Sequence, residues 1–234
     1  MADFKTHITT ASIGSAMLAT ALVAGGGLSA GQGALLWLVG SGAGILPDID
    51  SDSSRSIRYI FTVLAVACAI SLIFLLPRTL SVYWFWGALA ISFVSVRYGV
   101  MELFARFSVH RGIWHSLLAG VFCSFLAVWL SYEVFAHSAR FSWLIGLFTG
   151  FGFLIHLLLD ELYSVDLEGF ELKTSFGSAT KLLSLNSWPA SLLLLVLSGA
   201  LFWMLPDISA LTGYLQNQPW ERLLALHWPF QVMD

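Results

Sequence analysis

The sequence predicts an all-α membrane protein, a polytopic bundle of five to seven transmembrane or membrane-embedded helices. Of its 234 residues, 58% are hydrophobic and only 11% are charged, whereas a soluble domain carries roughly 25% charged residues. The mean hydropathy is +0.81. Aromatic residues make up 15% of the chain, and many lie near segment ends, as is typical of membrane interfaces. The net charge of −3 gives no basic surface for nucleic acid, so no such partner is expected.

Seven segments are candidates for membrane helices, since spanning a bilayer needs about 20 mostly apolar residues. They cover residues 8–27, 30–46, 57–77, 80–101, 113–135, 141–160 and 189–206. The first two are rich in small residues, and the second is short and ends at Pro47. Small residues favour close helix packing over lipid exposure. These two segments are therefore predicted to form a buried hairpin or to cross only in part.

The positive charges predict the orientation. If all seven segments cross, one side holds the N-terminus with Lys5, Arg55, Arg58, Arg106, Arg111, Lys173 and Lys181. The opposite side holds Arg78, Arg140 and Arg222, and Arg97 lies inside the fourth segment. Positive residues are enriched in the cytoplasmic loops of membrane proteins. The sequence therefore predicts a multi-pass protein with a cytoplasmic N-terminus.

The sixth segment ends with a histidine and an aspartate four residues apart, His156 and Asp160. On a helix this spacing places both on one face, with Cβ atoms about 6 Å apart. The pair suits two ligands of one metal ion, or a histidine oriented by a carboxylate. Ionisable groups at the end of so apolar a run are costly unless they have a function. The alternative is an interfacial histidine followed by an aspartate that marks the helix end.

A second pair of candidate ligands, Asp48 and Asp50, follows Pro47 at the end of the second segment. Proline disfavours a helical conformation for Leu46, and an extended stretch is expected beyond it. In such a stretch, Asp48 and Asp50 point the same way at period two. Two neighbouring carboxylates repel each other unless a cation lies between them. The alternative is a turn rich in Asp and Ser that caps the third helix.

A third motif precedes the fifth segment and reads His110-Arg111-Gly112-Ile113-Trp114-His115-Ser116. Two histidines five residues apart do not share a helix face. His110 and His115 therefore converge only if His110 precedes the helix and His115 lies in its first turns. Arg111 between them is suited to bind a phosphate or carboxylate group. The alternative is an interfacial loop whose arginine contacts lipid headgroups.

Topology places all of these side chains on one side of the membrane, together with a histidine at the start of the first segment. The predicted metal ligands are His7, Asp48, Asp50, His110, His115, His156 and Asp160. Seven ligands exceed the four that one zinc ion binds, which favours two ions. Mixed nitrogen and oxygen ligands suit Zn, with Mn or Fe as alternatives. His137 on the opposite side and His227 near the C-terminus are interpreted as interfacial histidines.

These motifs resemble a known bacterial family. An early histidine, LPDID after the second segment, HRGxxHS and HxxxD occur together in the LexA-regulated inner-membrane family described as metal-dependent hydrolases. In this chain they are His7, Leu46–Asp50, His110–Ser116, and His156 with Asp160. Trp114 stands where family members often have threonine. The resemblance covers roughly residues 1–165 and implies an inner-membrane location and hydrolase activity.

A more distant likeness links the chain to zinc-dependent phospholipase C and P1-type nucleases, which are all-helical. Asp50, His156 and Asp160 match part of the ligand pattern of their zinc clusters. This likeness implies phosphoester hydrolysis.

One integral membrane domain is predicted over residues 1–234. It comprises a metal-site core at 1–165, a polar loop at 166–188 and a tail at 207–234 that lies in the interface as an amphipathic helix. The sequence carries no prediction of the oligomeric state.

The motifs together predict a hydrolase of phosphoesters at the cytoplasmic leaflet, with a lipid or other amphiphile as substrate and two metal ions that activate water. Asp48 or Asp50 would bridge the ions or act as base, and Arg111 would bind a phosphate oxygen. Two other functions stay open. A metal-ion transporter needs ligands near the membrane midplane. A non-enzymatic, stress-related membrane scaffold would hold a structural metal.

Overall fold

The computed structural model describes residues 3–50, 55–77, 79–102, 113–166, 171–172, 181–182 and 188–218. Within these ranges the chain is almost entirely helical, and a helix lies in each of the seven predicted segments. The elements are α1 (Phe4–Ala24), α2 (Ala30–Ala43), a 3-10 helix (Leu46–Asp50), α3 (Arg55–Leu75), α4 (Val82–Val94) with a π-helical continuation (Ser95–Val100), α5 (Leu117–Trp129) with a π-helical continuation (Leu130–Val134), α6 (Ala139–Leu162), α7 (Trp188–Met204) and α8 (Ser209–Gln216). The predicted class, a helical membrane protein, is confirmed.

Three of the described helices are long and apolar enough to cross a bilayer. They are α1, α5 together with its π-helical continuation, and α6. The α7–α8 pair adds a fourth if its 75° bend is read as a break within one span. The second predicted segment falls short because α2 has 14 residues, which is about 21 Å against a hydrocarbon core of about 30 Å.

α6 is the central helix of the bundle, with buried residues along most of its length. Its first half buries Leu144 and Phe148 in a cluster with Leu22 of α1, Leu36 of α2 and Val128 of α5. Its second half buries apolar side chains against α5 and α7; this cluster consists of Leu118, Ala119, Phe153, Leu157 and Leu194. α6 therefore fixes the relative positions of α1, α2, α5 and α7.

Small residues allow α2 and α6 to approach closely. A Cβ atom added to Gly152 of α6 would overlap the carbonyl oxygen of Gly40 in α2. A Cβ atom added to Gly40 would in turn overlap the side chain of Ser15 in α1. The prediction that the first two segments pack closely through small residues is therefore confirmed, and α1 and α2 form an antiparallel pair against α6.

Polar side chains determine where two of these helices begin. Ser29 and Gln32 form a capping box at the start of α2, and Ser116 accepts a hydrogen bond from the Ala119 N–H at the start of α5 (3.2 Å). Each cap satisfies backbone N–H groups that the first turn leaves unpaired. The Ser116 cap matters for the site, because it places His115 just outside the helix.

The predicted polar loop contains a short hairpin that an all-α class does not include. Val165–Asp166 and Glu171–Leu172 pair antiparallel, with Val165 opposite Leu172. Strands of two residues leave no alternating pattern in the sequence, so nothing there indicated them. In the predicted tail, α8 buries Leu211 and Tyr214, while residues 219–234 lie outside the described residues.

Candidate metal centre

Five of the seven predicted ligands meet at one end of the bundle. His7 lies in the first turns of α1, and Asp48 lies on the 3-10 helix that follows α2. His115 directly precedes the N-cap of α5. His156 and Asp160 lie one turn apart near the end of α6. Four segments far apart in sequence thus bring three imidazoles and two carboxylates together.

Asp160 is the carboxylate that all three histidines approach. Its Oδ1 atom lies 3.2 Å from Nε2 of His7. Its Oδ2 atom lies 3.7 Å from Nε2 of His115 and 3.7 Å from Nε2 of His156. The two oxygens of one carboxylate therefore face different histidines.

Asp48 approaches two of the same histidines. Its Oδ1 atom lies 3.5 Å from Nε2 of His156 and 3.7 Å from Nε2 of His115. Together with Oδ2 of Asp160, these atoms form a ring of four in which nitrogen and oxygen alternate. Metal–ligand bonds of about 2.1 Å place neighbouring ligand atoms roughly 3.4 Å apart in a tetrahedral site. The four distances around the ring are therefore close to those between neighbouring ligands of one divalent cation.

The imidazole rings are packed against one another. His7 and His156 are stacked, with ring centroids 3.6 Å apart and an angle of 11° between the planes. The His115 ring meets the edge of His156 at 5.7 Å. Stacking of this kind restricts the rotation of both rings and holds their nitrogen atoms close to the carboxylates.

A backbone carbonyl determines the proton position on His156. Nδ1 of His156 lies 2.8 Å from the carbonyl oxygen of Gly44, and because a carbonyl only accepts, Nδ1 carries the proton. In the neutral imidazole, Nε2 then presents a lone pair. Within the described residues Nε2 has no hydrogen-bond partner, and its nearest polar neighbours are carboxylate oxygens. A lone pair facing carboxylates is unfavourable unless a cation lies between them, so this geometry fits a metal ion.

The spacing of the cluster defines two overlapping groups of potential ligands. One is His7, His156 and Asp160, and the other is Asp48, His115 and His156; in each, the ligand atoms lie within 4.8 Å of one another. His156 belongs to both, but its single available lone pair binds one ion. A second ion would therefore need other ligands, and Oδ1 of Asp160, which lies outside the ring, faces His7.

Burial separates Asp48 from the other members of the cluster. His7, His115, His156 and Asp160 are at most 3% exposed, whereas the Asp48 side chain is 21% exposed. Burial raises the pKa of Asp48, but the histidines around it lower the pKa more, and the net value lies below the ordinary one. Asp48 is thus an ionised carboxylate and the most accessible of the five side chains.

The sequence-based reason for pairing Asp48 with Asp50 is wrong. Leu46–Asp50 forms a 3-10 helix rather than the extended stretch that a period of two requires. The proline does end α2, but the chain turns immediately instead of extending. The side chain of Asp50 lies outside the described residues, as do His110 and Arg111, so their predicted roles stay predictions.

Two contributions to the site were not predicted. The Gly44 carbonyl orients His156, and a backbone carbonyl leaves no signal in a sequence. The polar loop also reaches the site, since the carbonyls of Lys181 and Leu182 accept hydrogen bonds from the N–H groups of Leu117 and Leu118 at 3.0 and 3.3 Å. These N–H groups lie at the start of α5, next to His115. In the sequence, only the polarity of this loop indicated that it has a role near the site.

His137 lies at the far end of the molecule from the cluster, as predicted. It directly precedes Ser138, the N-cap of α6, and is separated from His156 by 19 residues, or about 28 Å along a helix. Its Nδ1 atom lies 3.0 Å from the Ser131 hydroxyl. His227 lies outside the described residues.

Comparison with known proteins agrees with the membrane class. Residues 1–173 match the model of a family described as YdjM inner membrane protein. No curated protein and no solved structure matches the chain. The match supports the predicted inner-membrane family and location. The hydrolase activity and the likeness to phospholipase C and P1-type nucleases stay predictions.

Proposed function

The chain belongs to the YdjM inner membrane protein family, and we propose that it is a membrane-bound, metal-dependent hydrolase of phosphoesters. One observation carries this proposal: Nε2 of His156 faces two carboxylate oxygens, at 3.5 and 3.7 Å, without a hydrogen bond to either. Burying this arrangement is costly without a cation. Zn suits the mixed histidine and aspartate ligands, with Mn or Fe as alternatives.

Each residue of the cluster has a distinct task in this proposal. His115, His156 and Asp160 would hold a divalent ion, and His7 would support Asp160 or contribute to a second ion site. The Gly44 carbonyl keeps Nε2 of His156 directed at the ion, as outer hydrogen bonds do in metalloproteins. A bound divalent ion would polarise a phosphoryl oxygen and lower the pKa of a water molecule.

Asp48 is proposed to act at the substrate side of the cluster. It is the most exposed of the five side chains, so a substrate reaches it first. An ionised carboxylate at this position would orient the attacking water and accept its proton. Arg111, outside the described residues, is proposed to bind a phosphate oxygen. Asp50, whose side chain lies outside the described part of the structure, is proposed to assist as a further ligand or base.

The depth of the cluster supports a substrate at the membrane surface. The cluster lies at the ends of α1 and α6, two of the helices that are long enough to span. A lipid or other amphiphile presents its phosphate group at this level. The positive-inside distribution of Lys and Arg favours the cytoplasmic leaflet. The same position argues against a metal-ion transporter, whose ligands lie nearer the midplane.

A non-enzymatic scaffold with a structural metal is the second candidate, and burial favours it. Four of the five side chains are nearly inaccessible, and structural metal sites are typically closed, with all positions filled by protein ligands. A scaffold of this kind would bind metal without turnover of any phosphoester.

Turnover and metal content, measured on the same preparation, distinguish these candidates. The protein is purified in dodecylmaltoside and assayed with phosphatidic acid and p-nitrophenyl phosphate, before and after chelation and restoration of Zn or Mn. We expect turnover that chelation abolishes and that Asp48→Asn lowers by about a hundredfold or more, the range of a lost general base. Asp207→Asn is the matched control, because Asp207 is exposed and its Oδ1 accepts a hydrogen bond from the Ser209 N–H (2.9 Å).

Three results of these assays distinguish the hydrolase from the scaffold, test the role of Asp48 or contradict both candidates. Metal-loaded protein that turns over neither substrate would contradict the hydrolase and support the scaffold. An Asp48→Asn variant as active as the wild type would remove the proposed role of Asp48. Protein that neither contains nor takes up metal would contradict both candidates.

A further inference from the structure

Arg97 is a cation inside an apolar helix. No other charged residue occurs from Val82 through Met101, and Arg97 lies in the π-helical continuation of α4, partly buried. An arginine within a membrane-embedded segment is costly and usually has a partner of opposite charge or a function. The contacts of Arg97 are therefore informative.

The described contacts of Arg97 are both to uncharged groups. Nη1 donates a hydrogen bond to the Met101 sulfur at 3.0 Å, and a thioether is a weak acceptor. The guanidinium lies over the Tyr98 ring, 5.0 Å from its centroid. Within the described residues no carboxylate pairs with Arg97. A guanidinium has five N–H donors, and among the described residues the Met101 sulfur is the acceptor for one of them.

The helix that carries Arg97 is apolar on its outer surface. Ile91, Val94 and Tyr98 are more than half exposed, at 68%, 54% and 57%, and in a membrane such side chains contact acyl chains. An anion that pairs with Arg97 therefore approaches from the lipid side. Membrane phospholipids supply phosphate oxygens that a guanidinium binds through two parallel hydrogen bonds.

Arg97 lies toward the same end of the bundle as the metal centre. Its guanidinium reaches along the helix to Met101. Met101 and Trp114 both pack against the cluster of Ile57 and Phe61. Trp114 directly precedes His115 in the chain and also packs against the α5–α6–α7 cluster. The α3–α4 pair is therefore joined to the site through this tryptophan.

We propose that Arg97 binds the phosphate group of a membrane phospholipid at the lipid-facing side of α4, beside the metal centre. The acyl chains then lie along the apolar surface that includes Ile91 and Val94. This deepens the proposed function, because it identifies the substrate class as an anionic phospholipid rather than a soluble phosphoester. Lipid binding is independent of turnover, so the two proposals fail in different experiments.

The test is lipid binding by the full chain in dodecylmaltoside, measured by native mass spectrometry. The probes are phosphatidic acid, diacylglycerol with the same acyl chains, and inorganic phosphate as competitor. Wild-type protein should bind phosphatidic acid more tightly than diacylglycerol, and inorganic phosphate should not displace the lipid. Arg97→Gln should weaken phosphatidic acid binding about tenfold, the loss expected for charge-assisted hydrogen bonds, without changing diacylglycerol binding. Arg97→Lys, which keeps the charge, should lose less.

Arg140→Gln is the matched control, because Arg140 also lies over a tyrosine ring, that of Tyr214 at 5.1 Å, but at the other end of α6. It should bind phosphatidic acid as the wild type does. Asp48→Asn should also keep lipid binding, even though it loses turnover. In the turnover assay, Arg97→Gln should raise KM for phosphatidic acid and leave p-nitrophenyl phosphate turnover unchanged.

Three results would overturn the proposal. The first is equal binding of phosphatidic acid and diacylglycerol by the wild type, a result that does not depend on the folding of any variant. The second is unchanged phosphatidic acid binding in Arg97→Gln. The third is displacement of the lipid by inorganic phosphate, which would make the ligand a free anion.

Discussion

The two ends of the helical bundle each contain buried or half-buried polar groups, but they satisfy them differently. At the end that holds His137, the Ser131 hydroxyl lies 3.0 Å from Nδ1 of His137 and 3.0 Å from the Ser142 hydroxyl. At the other end, Nε2 of His156 faces the carboxylates of Asp48 and Asp160 and has no hydrogen bond within the described residues. One end is a closed hydrogen-bond network, and the other has the geometry of a cation site.

This contrast shows that a buried histidine alone does not identify a functional site. Hydroxyl groups donate and accept, so they satisfy an imidazole in either tautomer. Ionised carboxylates only accept, so an imidazole lone pair among them lacks a donor. The chemical nature of the neighbours therefore distinguishes a structural histidine from a candidate ligand, and the following predictions test that distinction.

The largest effect is expected from Asp160→Asn. Asp160 faces all three histidines of the cluster, and an amide oxygen is a weaker ligand than a carboxylate. We predict that metal affinity falls by at least about a hundredfold, the upper range known for loss of outer-shell groups. Competition with a fluorescent chelator measures the affinity. His137→Ala at the opposite end is the control, and loss of metal in that variant would break the contrast between the two ends.

A smaller effect is expected where α2 crosses α1 and α6, between the two ends. Gly40→Ala places a methyl group against Ser15 and within 3.3 Å of Phe148. Overpacking of this kind costs about 1–3 kcal/mol of folding free energy. Gly42→Ala in the same helix is the matched control, because nothing lies within 4 Å of its added Cβ atom, and it should be neutral or slightly stabilising. Thermal unfolding in detergent compares the two, and equal stability of both variants would contradict the close packing.

The smallest effect is expected from Ser131→Ala. The change removes the hydroxyl that connects His137 to Ser142, and a lost buried hydrogen bond costs about 1 kcal/mol. Metal content should be the same as in the wild type, because the network lies at the far end of α6. A variant that folds but has lost its metal would show that the two ends are coupled.

The helices were predictable from the sequence because their apolar runs are long and bounded by recognisable breakers. Pro47 marks the end of the second segment, and the small residues of α1 and α2 indicate close packing. Convergence of His7, Asp48, His115, His156 and Asp160 was also predictable, since helix ends on one side of a membrane share one layer. The membrane topology therefore predicts which side chains share a layer, even when no tertiary contact is known.

Local geometry within that layer was not predictable. The turn at Leu46–Asp50 is a 3-10 helix, and the residue before a proline is only biased against helix, which leaves several turn types open. The orientation of His156 depends on the Gly44 carbonyl, 112 residues away in sequence. Contacts of this kind arise from tertiary packing and not from local preferences.

The metal content of the wild-type protein tests the central claim most directly. The chain is purified in detergent without chelator, and inductively coupled plasma mass spectrometry quantifies Zn, Mn and Fe. We predict about one or two equivalents per chain, absent from a His156→Ala variant that still folds. A wild-type protein that contains no transition metal, and takes up none when Zn, Mn or Fe is supplied, would contradict a metal centre at this end of the bundle.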